Sequence, residues 1–137
     1  MNDQVDVRGE VIEAEGSRVT GPRRLVLGVI ALSVVAVLFG CQHRRAKELQ
    51  VGDTVAVVVD ALGEASVEYR SVADIEASNF AYYNFRNLID ELDPIEKSAD
   101  LPEVVGRALW FRNFGTSGIL VYLDESDRVT AVFRAAT

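Results

Sequence analysis

His43 and Cys41 stand two residues apart in this 137-residue chain and are its only histidine and its only cysteine. One imidazole and one thiol cannot supply the three or four soft ligands of a zinc site, and a lone cysteine excludes any disulfide within the chain. A second grouping, Asp90, Glu91, Asp93 and Glu96, has the spacing of paired carboxylates for acid or base work. No histidine, nucleophile or metal-binding partner accompanies it in the sequence, so it reads as a solvated acidic face. The expectation is a protein that is not an enzyme, with no catalytic residue, no metal, no cofactor and no small-molecule substrate.

Cys41 draws its interest from what precedes it. Leu25 to Cys41 is a run of 17 residues without a charge, in which Ser33 and Cys41 are the only polar side chains. A membrane span needs roughly 17 to 25 apolar residues and the apolar region of a signal peptide roughly 7 to 15, so the run borders both. A buried core helix would show a polar face every 3.6 residues, and none exists here. At the end of the run, Leu38, Phe39, Gly40 and Cys41 resemble a bacterial lipobox, with Phe39 standing where a small residue is usual. That resemblance implies Cys41 as a lipidation site. The residues themselves read equally as the close of a transmembrane segment. Arg18, Arg23 and Arg24 before the run balance Arg44, Arg45 and Lys47 after it, so the distribution of cations does not fix orientation.

The rest divides by composition. Residues 1–24 mix five acids and four arginines with breakers at Gly9, Gly16, Gly21 and Pro22, which predicts a disordered tail. Residues 42–50 form a short basic linker, which reads as a plain stop-transfer flank before the alternative of a contact for anionic headgroups. Residues 51–137 hold 15 acids and seven bases, enough length for one small core, and that acidity argues against nucleic acid as a partner.

Within 51–137, Val55, Val58, Val59 and Leu62 fall at i, i+3, i+4 and i+7, which predicts a helix over Val55–Leu62 despite the β-branched composition. Thr54 stands at its N-cap and Gly63 at its left-handed end. Ser71 and Asp74 form an approximate capping box for a second helix running to Pro94, with Ala81, Phe85, Leu88 and Leu92 at helical spacing. The alternation from Phe80 to Phe85 leaves a strand open there, and the aromatics Phe80, Tyr82, Tyr83 and Phe85 read as core before the alternative of a groove or partner surface. Leu109 to Phe114, Ile119 to Leu123 and Val129 to Phe133 read as an antiparallel meander with polar turns. Trp110, the largest apolar side chain, is expected to pack on the helix containing Val58 and Leu62.

The order of these blocks resembles the SmpA/OmlA (BamE-like) family of small outer-membrane lipoproteins, as a divergent member. Gly52, Thr54, Leu62 and Gly63 match the family's helix start and Leu-Gly end, while Trp110 and Asp124 to Val132 match its strand tryptophan and closing Asp-turn-strand. Glu64-Ala65 replaces the family's proline, and the roughly 40 residues between the blocks, about 66–106, form an insertion read as an inserted helix. The resemblance implies an α+β fold, a two-layer sandwich of helices on a three-stranded antiparallel sheet, preceded by one transmembrane or signal-anchor helix. It further implies a membrane-anchored, non-catalytic interaction or scaffold domain of the bacterial cell envelope, on the periplasmic or extracytoplasmic side and in contact with membrane lipid and an envelope protein. A cytoplasmic binding domain on a single-pass protein, or a β-lactamase-inhibitor-like binder, stays open beside it.

Overall fold

The computed structural model describes residues 41–91, 93–113 and 115–137. The expectations that fall on residues 1–40, including the tail and all of the apolar run except Cys41, lie outside the described residues. No helix among the described residues is long and apolar enough to cross a membrane.

Residues 41–46 are helical, and α1 (Val55–Leu62) follows. Then come β1 (Val67–Tyr69), α2 (Val72–Ala77), a 3-10 turn at Phe80–Tyr82, β2 (Asn84–Asn87), β3 (Pro94–Ile95) and a second 3-10 turn at Ser98–Asp100. The chain closes with β4 (Arg107–Arg112), β5 (Gly118–Leu123) and β6 (Val129–Ala136). All pairings are antiparallel, in the order β1-β4-β5-β6-β2-β3.

The sheet therefore has six strands, which corrects the expected three-stranded sheet, and helices cover both of its faces, which corrects the two-layer sandwich. The meander is present as β4–β5–β6, and the additional strands come from the 66–106 stretch, where one long helix was expected. Asn79 in a left-handed conformation (φ 65°) ends the helical course two residues after α2. Beyond it Phe85 is buried while Asn84 and Arg86 are exposed, the period-2 pattern of a strand. Ser71 does cap α2, its Oγ accepting from the Asp74 N–H at 3.2 Å.

Strand alternation divides the core in two. Leu109 and Phe111 of β4, Ile119, Val121 and Leu123 of β5, and Val132 of β6 pack with Ala46, Leu49, Val58 and Leu62. Ala108, Trp110, Leu120, Tyr122, Phe133 and Ala135 take the other face, with Ile75, Phe80 and Phe85. Trp110 thus lies on the face away from Val58 and Leu62, because Leu109 and Phe111 on either side of it already occupy theirs. Burial on both faces explains why these strands read as nearly continuous apolar runs.

Trp110 is only 4% exposed. A Cβ added at Gly118 would lie 2.2 Å from its Cη2 and 2.3 Å from its Cζ2, so the indole covers the glycine where β5 begins. Gly118→Ala must displace the ring, and overpacking of this kind costs about 1–3 kcal/mol. Trp110 is the only tryptophan, so its fluorescence reports directly. Urea unfolding of the variant is expected to show a lower midpoint and red-shifted native emission. An unchanged midpoint and spectrum would contradict this packing.

Candidate binding surface

The residues singled out by sequence fall into three places. Gly52 and Thr54 meet the turn between β5 and β6. The Gly52 N–H donates to Val129 O at 2.8 Å, the Val129 N–H to Asp53 O at 2.8 Å, and Thr54 bridges Arg128. Asp124 organises that turn, its Oδ1 accepting from the N–H groups of Ser126 (2.8 Å) and Arg128 (3.0 Å). Thr54 occupies the N-cap of α1 without a side-chain capping bond. Gly63 ends α1 at φ 85°, ψ −160°, a positive-φ conformation other than the left-handed helical one and one that glycine adopts without strain. Leu62 is buried in the core. Together these residues fasten α1 to one end of the sheet.

Cys41 is exposed and lines a cleft of about 570 Å³ with Gln42, Arg45 and Asp60 to Gly63. The Gln42 amide donates to Leu62 O at 3.3 Å, joining the helical segment 41–46 to the end of α1. Trp110 is in the third place, on the opposite face of the sheet.

That face carries an aromatic cleft, in which Phe80 and Tyr83 of the aromatic cluster are joined by Tyr69 and Trp110. Phe80 stands edge-on to Trp110 with ring centroids 4.7 Å apart, Tyr83 lies 6.4 Å from Trp110, and Tyr69 of β1 meets Phe80 at 6.0 Å. These rings, with Val67, Ser78, Arg112 and Gly115, line a cleft of about 240 Å³ beside β1. Among the described residues β1 pairs only with β4 and forms one edge of the sheet. Val67 is 40% exposed at that edge. Arg112 is exposed at the end of β4 and has no ion-pair partner among the described residues. The alternation of Val67, Glu68 and Tyr69 was the available signal, but three residues are too few to reveal an edge strand before its partner is known.

The acidic grouping lies at the surface. Asp90, Glu91, Asp93 and Glu96 are all exposed, and Glu91 pairs with Lys47 at 2.9 Å and with Arg86 at 3.9 Å. No group of three or more His, Cys, Asp or Glu able to hold a metal occurs among the described residues. A cationic cluster lies nearby. Arg86 of β2 and Arg134 of β6 are directly opposite each other in the sheet, and both they and Lys47 act on His43. Like charges directly opposite across strands repel, and Glu91 offsets part of that repulsion.

No family model, curated protein or solved structure matches this chain.

Burial lowers the pKa of His43 below its ordinary 6.5, and Arg134, Lys47 and Arg86 lower it further, against the opposing effect of Glu91. Both burial and nearby cations disfavour the imidazolium, so protonation should require a more acidic solution. With a single histidine the NMR signal needs no assignment. Its titration midpoint is expected below 6.5, and Arg134→Gln should raise it. A midpoint at or above 6.5, or one that Arg134→Gln leaves in place, would contradict the clustering.

Proposed function

We propose that this chain is a membrane-anchored, non-catalytic protein-interaction domain of the bacterial cell envelope. The observation that carries the binding role is the free edge of β1 lying beside an aromatic cleft. An unpaired sheet edge offers backbone donors and acceptors to another chain, and the exposed Val67 and half-buried Tyr83 beside it give a partner contact area on a rigid aromatic floor.

The anchoring role rests on the sequence. The uncharged run from Leu25 to Cys41 ends one residue before the linker, and Leu38 to Cys41 resemble a lipobox, which supports placing the domain on the extracytoplasmic side. A tether converts encounter with a neighbouring envelope protein into a local event at high effective concentration, so a small contact surface suffices. The resemblance to the SmpA/OmlA family supports the same role, with membrane lipid and an envelope protein as partners.

Photo-crosslinking in the native envelope tests this reading. With p-benzoylphenylalanine in place of Val67, the full chain is expected to form a discrete protein adduct. The same probe in place of Val57, exposed on α1 at the other face, should not. Deleting residues 25–41 should reduce the adduct strongly. Equal labelling from both positions, or an adduct that survives the deletion undiminished, would contradict the proposal.

A further inference from the structure

The polar groups around the cleft narrow the chemistry of its partner. Seven cations lie within residues 51–137, and most of them near the cleft and turn are already engaged. Arg107 bonds Glu68 through Nη1 at 2.9 Å and Asp127 through Nε at 2.9 Å, and Arg70 also pairs with Glu68. Arg128 donates to Gly52 O at 2.9 Å. Arg112 is different, lining the cleft with its charge uncompensated among the described residues. Around it the domain is strongly acidic, so an isolated cation lining a cleft of mixed aromatic and polar character is a point of selection for a carboxylate.

The geometry supplies the remaining requirements. Val67 and Tyr69 both line the cleft and both belong to the edge strand, so a segment added along β1 would run beside the opening. Alternate side chains of an added strand face the same side of the sheet, and the cleft offers one of them the exposed Val67 and the half-buried Tyr83, with Phe80 and Trp110 as its buried floor. Resting on the interaction role proposed above, we infer that β1 receives an extended segment of a partner protein. That segment places an apolar or aromatic side chain in the cleft and an Asp or Glu side chain at Arg112. Arg112 acts as a specificity-determining residue and the strand edge as the source of orientation.

Selection from a randomised peptide library tests this directly. The probe is a phage-displayed pool of random dodecapeptides panned against the full chain in phosphatidylcholine nanodiscs. Enriched sequences are expected to alternate polar and apolar residues and to carry an acidic residue at fixed spacing from an aromatic or aliphatic one. Synthetic peptides from that pool should bind roughly fivefold or more tightly than their Asn or Gln counterparts. Arg112→Gln should erase that difference, and N-methylation at alternate backbone positions should abolish binding. Trp110 fluorescence verifies that the variant is folded.

A pool that fails to enrich, an enriched motif without an acidic residue, or a preference that persists in Arg112→Gln would overturn the inference. So would binding that tolerates N-methylation. If the Val67 crosslink forms in the envelope while any of these results holds, the interaction role stands and only the partner's stated chemistry falls. If the crosslink is absent as well, both fall.

Discussion

The contact between Trp110 and Gly118 constrains much of this structure. The indole occupies the space that a side chain at residue 118 would need, and the two residues lie on the same face as diagonal neighbours across β4 and β5. Because the ring is held there, it meets Phe80 and Tyr83 in near-perpendicular contacts, which fixes the 3-10 turn against the sheet. Phe80 in turn lies 6.2 Å from Phe85, the residue that anchors β2. One large side chain over one missing side chain thereby links the central strands, the turn and the outer strand pair, and the same indole lines the candidate cleft.

The central strands serve two cores at once. Successive residues of β4 and β5 point to opposite faces, so neither helical layer can shift without disturbing its own half of the alternation. On the face of α1 the helix is short, and its attachment depends on backbone hydrogen bonds from residues 52–55 to the β5–β6 turn as well as on Val58 and Leu62. A β-bulge between Tyr122 and Leu123 lets Val129 and Val132 share that face despite their odd spacing. The opposite face contains most of the aromatic rings, including Tyr122 and Phe133 at 5.5 Å. Burial raises the pKa of the Tyr122 hydroxyl, which has no hydrogen-bond partner among the described residues.

Legibility followed the range of the interactions. The spacing of Val55, Val58, Val59 and Leu62 defines α1 locally, and the Ser71–Asp74 cap marks the start of α2. The three closing strands are long enough to declare themselves. β1, β2 and β3 have three, four and two residues, so their identity depends on partners far along the chain. A helical period laid over 81, 85 and 88 concealed the end of α2 because Phe85 and Leu88 do face apolar cores, but on opposite sides of the sheet. The side chosen by Trp110 was hidden for the same reason: a strand buried on both faces gives no polar residue from which to read its orientation. The cleft was less legible still, since Val67, Phe80, Trp110 and Arg112 meet only after the edge strand has paired.

The central claim is that a rigid, doubly buried sheet presents an uncovered edge at β1. Hydrogen–deuterium exchange of the full chain in nanodiscs measures this most directly. Amides of β5 should exchange only through global opening, while those of Val67 to Tyr69 should exchange roughly 100-fold faster or more. Equal protection of β1 and β5 in the isolated chain would show that this edge is already covered and would contradict the account.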